Sequence, residues 1–103
     1  MAIPTLSDEQ LQAARKAATE ARRARADLKT KVRTGEVSLA KALDIAENDE
    51  ILAHIRVSDL LKALPRVGEK RAAGIMTRLN IASSRRIRGL GKHQLLALKE
   101  EFS

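Results

Sequence analysis

The bulky apolar residues of this chain are unevenly placed, and their placement decides what it can fold into. A core drawn from Leu43, Ile51, Leu52, Ile55, Leu60, Leu61, Leu64, Val67, Ile75, Met76, Leu79, Ile81, Ile87, Leu90, Leu95, Leu98 and Phe102 lies entirely beyond residue 40. Before it comes a segment rich in alanine and arginine that has little to bury. The organisation this predicts is a long basic N-terminal helix over residues 1–35 and a compact helical domain over residues 36–103. Alternating β-branched and aromatic runs are absent, so no strand is predicted and the fold class is all-α.

Local signals set the helices. Ser7 with Gln10 three positions later has the form of a capping box, opening a helix from Asp8 to about Arg33 that Gly35 stops. At 1.5 Å per residue such a helix is about 40 Å long. Ala14, Ala18, Ala21, Leu28 and Val32 fall along one side of it, and Arg15, Arg22, Arg25, Lys29 and Arg33 along the adjacent one. Because an alanine methyl contributes only about 0.8 kcal/mol on burial, the N-terminal half is expected to dock weakly. Ser38 caps a second helix from Leu39 to about Glu47, and Ile51, Leu52 and Ile55 suggest a further turn. Ser58 is expected to cap a short helix through Leu64. Pro65 to Gly68 then form a turn, and a helix runs from Glu69 to about Leu79. Ser83 or Ser84 opens a brief helical turn, Gly89 to Gly91 turn again, and a last helix spans Lys92 to about Glu101.

Charge narrows the partner. The net charge is +7 and the pI about 10.4, which favours a polyanion. Residues 1–34 carry eight Lys or Arg against four acids, residues 35–59 two against six, and residues 60–103 ten against three. With one Phe and no Trp or Tyr, the chain lacks the stacking platforms used on single strands and RNA loops. Duplex backbone fits better. The absence of cysteine removes disulfides and thiol chemistry. Residues 1–6 lack the charged start and apolar run of a leader, and no window is long enough to span a membrane; the cell interior is the expected location.

Two stretches share a pattern that carries the function. Leu64, Pro65, Arg66, Val67 and Gly68 precede the helix starting at Glu69; Ile87, Arg88, Gly89, Leu90 and Gly91 precede the one starting at Lys92. A glycine just before a helix leaves the first N–H groups uncovered at the positive end of the dipole, which suits an anion. Arg66, Lys70 and Arg71 surround the first turn, and Arg85, Arg86, Arg88 and Lys92 the second. A phosphodiester oxygen fits there without any base being read. An ordinary helix connection, with Val67 or Leu90 plugging the core, explains one such turn; two turns ringed by cations favour phosphate.

These turns resemble the hairpins of helix-hairpin-helix and helix-two-turns-helix DNA-binding proteins. Adding Ala21, Arg22, Arg23, Ala24, Arg25 and Ala26, and the run from Arg85 to Gly91, the order of features resembles the actinobacterial integration host factors over essentially the whole chain. That resemblance implies a monomeric nucleoid-associated protein that binds duplex DNA with little sequence preference, bends or compacts it, and assists phage integration and chromosome organisation. It points to Arg85, Arg86 and Arg88 for the main contact, aided by Gly89, Gly91, Lys92, Arg66, Gly68, Lys70 and Arg71. Arg22, Arg25, Lys29 and Arg33 are candidates for a second DNA contact.

Catalysis is not expected. His54 and His93 have no partner at ligand spacing, so neither metal nor cofactor is predicted. The cluster of Asp44, Glu47, Asp49 and Glu50 lies in the least basic region with no nucleophile, and reads as a solvated or helix-end group. Two rivals to DNA binding stay open: a ribosomal or structured-RNA binder, and a protein-interaction module docking through the acidic middle. Membrane-surface binding ranks last, because the basic helix has alanines where bulky apolar residues belong.

Overall fold

The computed structural model describes residues 7–102, so the reading of residues 1–6 lies outside the described residues. Helix α1 spans Asp8–Thr34. Ser7 Oγ accepts from the Gln10 N–H at 3.2 Å, and Gln10 Oε1 accepts from the Ser7 N–H at 2.9 Å, completing the capping box. Gly35 ends the helix in the left-handed region at φ 82°, where a side chain is strained. Helix α2 spans Leu39–Glu47, with Ser38 Oγ accepting from the Lys41 N–H. A 3-10 turn at Leu52–His54 leads to α3, Val57–Ala63. Helix α4 spans Glu69–Arg78, a second 3-10 turn covers Ile87–Gly89, and α5 spans Lys92–Glu101.

The core is more widely sourced than the sequence suggests. Leu28 and Val32 of α1 are buried together with Leu39, Ala42, Leu43 and Ala46 of α2, Leu60 and Leu61 of α3, Ile75 and Met76 of α4, and Leu95 and Leu98 of α5. The end of α1 therefore packs against α2 and α3, while every residue from Asp8 to Ala18 is exposed. This exposed stretch holds its helix through the capping box and the high helix propensity of alanine. It also stretches the molecule to 51 Å against 32 and 24 Å.

Several local expectations are corrected. Ile51 is 43% exposed, because Asp49 Oδ1 accepts from the N–H groups of Ile51 and Leu52, capping the 3-10 turn at the surface and leaving Leu52 to enter the core. Ser58 is not the cap: α3 begins two residues earlier than that cap would set, at Val57 after Arg56. It stops at Ala63 because Leu64, preceding Pro65, is extended (φ −65°, ψ 140°). Leu64, Leu79, Leu90 and Phe102 lie only partly buried against the core. Ser83 and Ser84 form a plain turn, and the helical turn begins instead at Ile87. No strand forms among the described residues, but Arg56 and Arg86 make an isolated antiparallel bridge. It is built by Val57 N–H donating to Arg85 O and Ile87 N–H to Ile55 O, both at 3.0 Å.

Candidate nucleic-acid interface

The first glycine turn is open. Val67 N–H donates to Leu64 O at 3.2 Å, and Arg66 sits in the left-handed region at φ 69°. Proline second and a left-handed residue third make a type II turn, whose third position favours glycine. Val67 is buried beneath it, while Arg66, Gly68, Lys70 and Arg71 are exposed. Gly68 caps α4 in an extended conformation (φ −88°, ψ −178°), and no side chain accepts from the first helical N–H groups. A Cβ built at Gly68 would meet nothing within 4 Å. The glycine is thus not required by its backbone angle or by a protein neighbour; it leaves the helix start bare to solvent. Two acids lie close to these cations: Glu69 in the first turn of α4, and Glu101, whose carboxyl responds to the charge of Arg71.

The second turn is braced. Arg85 Nη1 donates to Gly89 O at 2.8 Å, and Arg86 Nη1 to His54 O at 2.7 Å. A Cβ at Gly89 would lie 3.0 Å from Arg85 Cδ, so glycine at 89 makes room for an arginine stem folded across it. Gln94, which the sequence reading passed over, holds the other end. Its Oε1 accepts from Gly91 N–H at 2.9 Å, and its Nε2 donates to Asn80 O at 2.8 Å, tying the start of α5 to the left-handed residue that ends α4. Arg88, Lys92 and His93 are exposed. From Arg85 to Gln94 the sequence holds no acid.

Two arginines of this cluster therefore also hold the backbone. A guanidinium has five donors, so one bond to a carbonyl leaves most of its hydrogen-bonding capacity for a phosphate. The bridge brings Arg56 to the side of Arg86, a neighbour 30 positions away that no local motif reveals.

The basic face of α1 divides. Lys29 and Arg33 line a groove of about 400 Å³ between α1 and α3 together with Ala26, Thr30, Asp59, Lys62 and Ala63, whereas Arg22 and Arg25 lie outside its lining. Asp59 pairs with Lys62 at 3.6 Å. Elsewhere, Asp44 pairs with Lys99 and Arg78 with Glu101. The hydrogen bond from Arg78 holds the Glu101 carboxyl below the ordinary glutamate range and raises the Arg78 guanidinium. Within the acidic cluster, Asp49 caps and Asp44 is paired, while Glu47 and Glu50 are exposed.

An all-helical body carrying two glycine-closed turns, each opening a helix, defines the helix-two-turns-helix class, and residues 32–102 match the S13-like H2TH domain family. Over 102 residues the chain is 52% identical to the integration host factor of Mycobacterium tuberculosis, covering 99% of this chain and 97% of that one. It is 42% identical to the integration host factor of Streptomyces coelicolor, covering 99% and 95%. The solved structure of sIHF bound to an 8 bp palindromic DNA matches with a TM-score of 0.82 at 40% identity, over 85% of this chain and 99% of that chain. The chain belongs to the integration host factor family.

Proposed function

We infer that this chain is a nucleoid-associated protein that binds duplex DNA through backbone phosphates with little sequence specificity. The observation that carries this reading is the second turn: a braced surface of half-buried Arg85 and exposed Arg86, Arg88, Gly89, Gly91 and Lys92, in a run from Arg85 to Gln94 that holds no acid. Rigid cations lose little entropy on meeting a phosphate, and a run with five basic groups, His93 included, and no acid concentrates positive charge at the turn. The first turn adds Arg66, Gly68, Lys70 and Arg71. The related protein seen on DNA supports duplex DNA over structured RNA.

The finer reading follows. The segment from residue 36 onward is the DNA-binding body, and α1, Asp8–Thr34, is an arm docked through its last turns. Arg22, Arg25, Lys29 and Arg33 on that arm take a second duplex segment, so that one monomer bends or compacts DNA and assists site-specific recombination and chromosome organisation. The protein works in the nucleoid and without catalysis. No helix of the described residues is long and apolar enough to cross a membrane.

The test is affinity for a short arbitrary duplex across a range of salt. Each neutralised phosphate contributes about 0.9 to the slope of log K against log salt, so a steep linear fall is expected, similar for unrelated sequences. A flat plot, or stronger competition by duplex RNA than by duplex DNA, overturns the reading.

A further inference from the structure

The antiparallel bridge sets Arg56 directly opposite Arg86. The two backbone bonds that frame it run from Val57 to Arg85 and from Ile87 to Ile55, so each lies one residue beyond the pair. That is the geometry of a non-hydrogen-bonded pair, in which the two Cα atoms are about 4.5 Å apart and the side chains leave the ladder on one side, closer than in the alternative register. Two arginines in such a position repel each other.

No ion pair among the described residues offsets this. Both residues are exposed. Arg86 donates to a neutral carbonyl, that of His54, and Arg56 makes no side-chain hydrogen bond or ion pair among the described residues. Asp59, the nearest acid in sequence after Arg56, is engaged with Lys62. The flanking residues explain why the backbone pairing survives: Ile55, Val57 and Ile87 are buried, at 3%, 1% and 3% exposure, so their burial holds two cations side by side. An uncompensated pair of cations pinned to a rigid backbone is a binding geometry for a group carrying a full negative charge and several acceptor oxygens.

We propose that Arg56 is a DNA-contacting residue, which together with Arg86 clasps a backbone phosphate beside the second glycine turn. This rests on the duplex-binding reading above and adds to it a cation from a segment that is acidic overall. The clasp relieves in the complex a repulsion that is present in the free protein, so binding gains from it twice.

The experiment compares Arg56→Ala, Arg56→Lys and the unaltered protein on one short duplex across salt, with thermal unfolding of each free protein. Arg56→Ala is expected to bind about tenfold more weakly at low salt, for all sequences alike, with the salt slope reduced by about 0.9. Arg56→Lys should keep most of the slope. In the free state Arg56→Ala should unfold no earlier than the unaltered protein, with any gain in Tm shrinking as salt screens the repulsion. Unchanged affinity and slope in Arg56→Ala overturn the proposal. So does weaker binding at an unchanged slope with a lowered Tm, which would make Arg56 a support of the fold. Salt-insensitive binding by the unaltered protein is a different failure: it removes the duplex reading itself.

Discussion

The two glycine turns are nearly alike in sequence and are built differently. At 64–68 the loop is a bare type II turn with Arg66 in a conformation that suits glycine, and its cations stand near Glu69 and Glu101. At 87–91 the loop is a 3-10 turn held by Arg85, Arg86 and Gln94, with buried Ile87 beneath it and no acid between Arg85 and Gln94. Like motifs thus present a glycine-led helix start ringed by cations by two routes. One accepts backbone strain to keep a side chain outside; the other uses side-chain bonds to hold a relaxed backbone. On the proposed reading, its bracing and its acid-free run make the second turn the stronger of the two candidate phosphate contacts.

The largest effect that can break this comparison comes from the plugs beneath the turns. Ile87→Ala should cost about 2–5 kcal/mol in denaturant unfolding, because it empties a buried site and loosens the bridge to Ile55. Val67→Ala, with fewer carbons to lose, should cost about 2 kcal/mol. Equal costs would mean that the second turn is no better anchored than the first.

Arg66→Gly separates strain from function. Removing a side chain from the left-handed region should raise stability by up to about 1 kcal/mol, while affinity for duplex falls and the salt slope drops by about 0.9. Lower stability would show that the arginine is not strained there.

The smallest effect concerns the acid near the first turn. Because the bond from Arg78 lowers the folded-state pKa of Glu101, the stability it contributes is present at neutral pH and is lost as pH falls through that lowered value. The difference in Tm between the unaltered protein and Glu101→Gln should therefore shrink on acidification below the ordinary glutamate range, while Glu101→Gln binds duplex slightly more tightly at low salt. A difference that grows on acidification contradicts the assigned sign.

Much of the molecule was legible in the chain itself. The ends of α1, α2 and α5 follow from Ser7 with Gln10, Gly35, Ser38 and Gly91, all of which act within a few residues of themselves. The cation clusters, the two glycine turns and the all-helical class follow from spacing and composition. Less legible were the turns between helices. Ser58 and Ser83 resemble caps, yet where a short helix starts was set by what its neighbours bury.

What the sequence by itself determined is therefore the set of helices and the sign of the surface, since capping, periodicity and charge are local or additive. Only the tertiary structure decided that Leu28 and Val32 join the core, that Ile51 does not, that Gln94 ties α4 to α5, and that Arg56 stands beside Arg86. Each of these depends on contacts between segments distant in the chain, and no pattern read within one segment carries the position of its partner.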